Sequence, residues 1–181
     1  MRSMLASIAC LSLFAGPAFA QTISLHPGET VTIRLDAGKA IIESRVPARP
    51  ISDYETYLVR RAQLQVVPPG ASSVPATGVY REEIPVQPTM PLPQRVQLTF
   101  REVPALESGS PNQSALILAN GYTSSFRYRA VMRSGINFTA TDVCEIRPGQ
   151  MGVEHWPFVI DQLDISDSRL EAWNDQEIRC E

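Results

Sequence analysis

Two residue types that carry much of enzyme chemistry are nearly missing from this chain. Histidine occurs only as His26 and His155, and lysine only as Lys39, against fifteen arginines. Two isolated histidines leave little room for imidazole-based mechanisms, and neither stands at metal-ligand spacing from a cysteine. The arginine bias reads as codon usage in a GC-rich genome. Motifs are missing too: no Gly-x-Ser-x-Gly elbow, His-Glu-x-x-His helix, P-loop or Gly-x-Gly-x-x-Gly turn occurs. Asp161, Asp164 and Asp167 recur at a spacing of three, without the central glycine and closing glutamate of an EF-hand. The sequence therefore assigns no catalytic residue, no metal site and no cofactor.

Excess positive charge is also lacking. With residues 1–20 set aside, 15 cationic and 19 acidic side chains leave a net charge of −4. That argues against nucleic acid as a partner. No apolar run after those residues approaches the ~20 needed to cross a bilayer, so no transmembrane segment is expected.

The first residues do hold a leader. Arg2 precedes an uncharged apolar run from Met4 to Phe19, and Ala18-Phe19-Ala20 is the small-x-small pattern cut by signal peptidase. The mature chain is expected to start at Gln21 and to work in the periplasm or as a secreted protein. The short Ala-rich leader and the arginine bias lean bacterial. Lipidation at Cys10 is disfavoured, because Ser7 stands where a lipobox requires a branched apolar residue. The remaining 161 residues suffice for one domain with a sizeable core.

Cysteine is scarce in a useful way. Loss of Cys10 leaves Cys144 and Cys180, an even pair in a chain bound for an oxidising compartment. A disulfide between them is expected to pin the C-terminus; the alternatives are a two-cysteine metal site or a reactive thiol.

What is abundant is strand pattern. Thr22–Leu25 and Thr30–Leu35 flank the turn His26-Pro27-Gly28-Glu29, and Val31, Ile33 and Leu35 alternate with polar neighbours. Ala40–Val46 and Tyr57–Val67 read as further strands, the latter with Ala62, Leu64 and Val66 inward and Gln63 outward. Asp53–Arg61 is the nearest helical candidate. Gln94–Val103 alternates strictly, with Val96, Leu98 and Phe100 on one face. Ala115–Ala119 and Ser125–Arg133 flank Asn120-Gly121-Tyr122-Thr123-Ser124 and read as hairpin neighbours. A strand over Asn137–Ile146 carries Cys144, the tight turn Arg147-Pro148-Gly149 follows, and Phe158–Ser166 and Glu177–Cys180 close the series with turns at Asp164–Arg169 and Trp173–Gln176.

Between the halves, residues 68–93 hold seven prolines. Such spacing favours extended polyproline II chain and excludes a central strand. It reads as a crossover or edge segment, with a ligand for a polyproline-reading partner as the alternative. The fold class expected is all-β: an antiparallel β-sandwich with a Pro-rich crossover and one disulfide. It is immunoglobulin-like at most, since no tryptophan lies midway between the cysteines.

Two candidate sites remain. Arg127, Arg129 and Arg133 share one face of a strand whose other face holds Phe126, Tyr128 and Met132. If the strand over 94–103 joined the same sheet, up to five arginines would share that outer face. From Asp142 to Glu181 the charge is −7, so these acids can fold back and pair with the arginines; otherwise the row offers guanidinium forks to an anionic partner. Glu154 and His155 form an adjacent acid–imidazole pair, yet neighbours on a strand point to opposite faces, and Trp156-Pro157 favours a packing role. The function expected is an exported, non-enzymatic binding or structural module of the bacterial cell envelope, its partner a protein or an anionic envelope component. The alternative is a secreted hydrolase working on cell-wall or polysaccharide substrate through paired carboxylates.

Overall fold

Strand alternation of the kind just described needs two apolar faces to meet, and they do. The computed structural model describes residues 22–65, 85–87, 91–174 and 178–180. The elements are β1 (Ile23–Leu25), β2 (Glu29–Asp36), β3 (Lys39–Pro47), α1 (Asp53–Gln65), β4 (Val96–Val103), β5 (Gln113–Asn120), β6 (Ser125–Ser134), β7 (Asn137–Thr141), β8 (Met151–Trp156) and β9 (Gln162–Glu171). They form a four-stranded sheet, ordered β1-β9-β6-β7, and a five-stranded sheet, ordered β3-β2-β4-β5-β8, with every pairing antiparallel. Ile23, Leu25, Phe126, Tyr128, Leu163 and Ile165 of the first pack against Val31, Ile33, Val96, Leu98, Phe100, Leu116 and Leu118 of the second. The expected sandwich is present, as is the Cys144–Cys180 disulfide.

A third layer departs from expectation. Of the strand read at Tyr57–Val67, residues 57–65 are helical and 66–67 lie outside the described residues; α1 runs over Asp53–Gln65 and extends the helical candidate at 53–61. Ser52 starts it with a capping box. Its hydroxyl accepts the Glu55 N–H at 3.3 Å while Glu55 Oε2 accepts the Ser52 N–H at 2.8 Å. The helical period reverses the inside and outside read from alternation: Gln63 is 8 % exposed and Leu64 64 %. Glu55, Val59 and Gln63, spaced four apart, make the buried face. α1 covers the outer face of the five-stranded sheet where that face is apolar, with Val59 against Val103, Ala115 and Ile117. Hence β5 is buried on both sides.

The segment 120–124 does not close a hairpin. β5 and β6 lie in different sheets, and this segment is a corner between them. Asn120, fully buried, donates from Nδ2 to the carbonyls of Ser124, Ile146 and Arg147, and its Oδ1 accepts the Tyr122 N–H. Those bonds turn the chain out of the β5 plane. Gly121 is required at the corner, because a Cβ there would lie 1.9 Å from the Leu92 carbonyl oxygen.

Three further boundaries differ. The turn read at Asp164–Arg169 lies inside β9, and the strand read at 158–166 begins only at Gln162. Asp167, at φ +50°, sits where the β6–β9 register breaks between Arg127 and Arg129, so the turn-forming residues mark a β-bulge. The strand read over 137–146 stops at Thr141, after which Cys144 and Ile146 make single bridges to Cys180 and Phe126. β8 extends the strand around Glu154 and His155, for which the pattern sets no bounds, over Met151–Trp156. Most of the Pro-rich segment 68–93, and Glu177, lie outside the described residues.

Candidate functional site

The outer face of the five-stranded sheet is apolar along β5 and β8 and at the Val103 end of β4. Toward β2 and β4 it carries Thr30, Gln97 and Thr99, which α1 does not cover. A cleft of about 400 Å³ results. Its floor is Thr30, Gln97, Thr99, Ile117, Ala119 and Met151; Val46, Pro47, Arg49 and Glu55 line it from β3, the β3–α1 connection and α1, and Pro91 and Leu92 from the chain ahead of β4. The Thr30 and Thr99 hydroxyls meet at 3.0 Å on the floor. Arg49 Nη2 donates to Glu55 Oε1 at 2.8 Å, and Glu55 Oε2 also accepts the Ser52 hydroxyl at 2.9 Å. The Glu55 carboxylate is thus buried and engaged at both oxygens. Two positions along β4 from Thr99, and on the same face, Arg101 donates from Nη2 to the Arg49 carbonyl at 2.9 Å. Its Nε is buried without a hydrogen-bond partner, and burial lowers its pKa. Of these residues the sequence points only to Arg101, as one of the arginines expected on an outer face; the Ser52-x-x-Glu55 capping box is the readable signal for the wall.

The arginine row is divided by the fold. β4 and β6 belong to different sheets, so their arginines face opposite sides of the molecule rather than one outer face. Arg127 is largely buried and donates from Nη1 to Glu171 Oε2 at 2.9 Å. Arg129 Nη1 lies 3.2 Å from Asp167 Oδ2. The acidic C-terminal part does fold back along β6. Glu171 receives Arg127 and Arg169, and these guanidinium groups hold its carboxyl down at about 2. Arg133 donates to the Gly135 carbonyl and lies 5.4 Å over the exposed Phe138 ring.

Glu154 and His155 are separated by the pleat. Glu154 turns inward, where Oε1 accepts the Cys144 N–H at 2.7 Å. Burial pushes its pKa up to about 7, opposed by that N–H and by the nearby Tyr128 hydroxyl. Burial also raises the Tyr128 phenol well above its ordinary value, and that hydroxyl makes no hydrogen bond of normal geometry. His155 points to the α1 side and its Nε2 lies 2.8 Å from Gln113 Oε1. The same oxygen accepts Gln63 Nε2 at 2.9 Å, so the imidazole donates from Nε2. Gln63 donates in addition to the Pro104 carbonyl. The network clamps α1 to the sheet; burial lowers the His155 pKa. Trp156, 6 % exposed, donates to Thr141 Oγ1 at the core rim.

Among the described residues no group of three or more His, Cys, Asp or Glu side chains could hold a metal ion. No helix there is long and apolar enough to cross a membrane. No protein-family model matches the chain, and comparison with curated proteins and with solved structures yields no match either.

Proposed function

We propose that the protein is an exported, non-enzymatic binding module of the bacterial cell envelope, and that it takes its ligand in the cleft between α1 and the five-stranded sheet. The cleft carries the proposal: about 400 Å³ of concave surface, apolar walls and a few convergent polar groups. Export rests on the leader pattern at 1–20, and the Cys144–Cys180 disulfide is compatible with an oxidising compartment. A carboxylate pair in a cavity would favour the hydrolase reading. Glu55 is the single carboxylate among the described lining residues, and its oxygens are engaged by Arg49 and Ser52. The β6 arginines give an anionic partner less support, since Glu171 and Asp167 meet two of them.

The test compares native mass spectra of protein from its host, wild type against Ala119→Leu and Gln97→Trp, which fill the cleft from its floor. Wild type is expected to carry a bound species that both variants lose while keeping their melting temperature. A wild type that carries nothing, or variants that keep the same species, would overturn the cleft as the binding site.

A further inference from the structure

We propose that the protein forms a dimer through β7, which pairs antiparallel with β7 of a second copy about a twofold axis at Thr139. The pairing goes beyond the cleft and does not depend on it, since the cleft lies on the other sheet. β7 is an edge of the four-stranded sheet. Asn137, Phe138, Thr139 and Ala140 are exposed, and Thr141 is half-buried. Which backbone groups are free follows from the β6–β7 hairpin. Gly135-Ile136 is a two-residue turn with Gly135 at φ +60°, so Ser134 and Asn137 exchange hydrogen bonds across it. Facing then alternates along β7. Asn137, Thr139 and Thr141 bond toward β6, while Phe138 and Ala140 present N–H and C=O outward. The Arg133 carbonyl agrees: it takes the Asp161 N–H on the β9 side, so its partner Phe138 faces away from β6. Among the described residues nothing bonds those outward groups.

The other sheet edges carry devices that block such pairing. β1 has three residues. β3 holds Lys39, Glu43 and Arg45, a register shift against β2, and Pro47 at its end. β8 holds the inward-pointing Glu154 and runs into Pro157. β7 has no charge, no proline and no bulge. It is also its own complement, which makes a second copy the occupant. The register that pairs the whole strand sets Asn137 against Thr141, Phe138 against Ala140, and Thr139 against its own copy. Phe138 and Ala140 then exchange their outward hydrogen bonds as a pair. Each Phe138 ring, 61 % exposed beneath the Arg133 guanidinium, meets the small Ala140 side chain rather than a second ring. No charged side chain of β7 faces the seam, and a twofold contact of this kind closes on itself.

Sedimentation equilibrium tests the pairing. One short strand makes a small interface, so the shift from monomer to dimer is expected between about 10 µM and about 1 mM. Thr139→Asp sets two carboxylates against each other at the axis and should weaken the dimer on the order of tenfold. Thr139→Arg should do the same with two cations. Mixing the two variants is expected to restore the dimer, which requires a pairing that brings both 139 positions together. Circular dichroism melts check that each variant folds. Should either melt early, Ala140→Pro replaces it, since the N–H it removes serves the seam and not β6. Wild type that stays monomeric throughout that range overturns the proposal. So does a dimer that the substitutions leave intact, or a mixture that stays monomeric. A monomer that sediments with phosphatidylglycerol vesicles through Ile136, 89 % exposed, and Phe138 would assign this edge to a bilayer instead.

Discussion

Glu154 faces the inter-sheet core from an edge strand, accepting the Cys144 N–H and lying beside the Tyr128 hydroxyl. Its folded pKa of about 7 lies above the ordinary 4.5. Between those values the native state holds a proton that the unfolded state has released, so stability falls as pH rises from about 4.5 to about 7. Glu154→Gln keeps an acceptor for Cys144 and removes the titration. Its unfolding free energy is expected to lack the wild-type fall across that window and to exceed wild type by up to about 3 kcal/mol at pH 8. Denaturant melts at pH 5 and pH 8 check this; parallel pH profiles for the two proteins would refute it. Asn120 is the second residue on which much depends. Asn120→Ala strands the Ser124 carbonyl and the Tyr122 N–H inside the corner, while the Ile146 and Arg147 carbonyls keep backbone N–H partners, and a loss of about 2 kcal/mol is expected from urea unfolding. A loss under 1 kcal/mol would mean that water replaces the amide.

At the scale of elements, α1 owes its start to one cap. Ser52→Ala removes the acceptor for the Glu55 N–H and is expected to cost about 1 kcal/mol. Leu64→Gln, on the exposed side of the same helix, is expected to change stability by no more than ~0.5 kcal/mol. The pair of thermal melts distinguishes a helix from a half-buried strand, in which the Leu64 change would be the costly one. β9 is tied to β6 through Glu171, which receives Arg127 and Arg169, with Arg179 Nη1 at 3.8 Å. Because the folded pKa of Glu171 is depressed to about 2, its contribution is present above about pH 4.5 and fades as pH falls toward 2. Glu171→Gln should therefore flatten that acid limb. An unchanged acid limb in circular dichroism melts would show that the arginines hold β9 without the charge.

The whole molecule is closed by one covalent tie. Cys144 and Cys180 are 36 positions apart, and beside the bond the Glu145 N–H donates to the Arg179 carbonyl at 2.9 Å. Replacing both cysteines by serine should cost roughly 3–4 kcal/mol by freeing the unfolded chain. Equilibrium unfolding of the double variant gives the number. Thiol labelling of unfolded, unreduced wild type should find no free thiol, and two free thiols would remove the staple from the argument.

Local pattern determined the strands at 31–35, 96–100 and 126–132, because apolar residues at a period of two fit only a half-buried strand. It also determined the disulfide, since only two cysteines follow residue 20, and it separated Glu154 from His155 through the pleat. Longer-range decisions were not local. Asn120-Gly121 has the composition of a hairpin turn, and it became a corner because the Asn120 amide finds carbonyls at 146 and 147 and Gly121 lies against Leu92. Residues 57–65 alternate well enough for a strand; the Ser52 cap and the apolar patch of Val103, Ala115 and Ile117 drew them into a helix. The cleft exists only because that helix covers part of the sheet and leaves Thr30, Gln97 and Thr99 on the floor beside it. The Arg49–Glu55–Arg101 cluster joins residues from three separate segments, so its charge balance is a property of the packed layers and not of any stretch of chain.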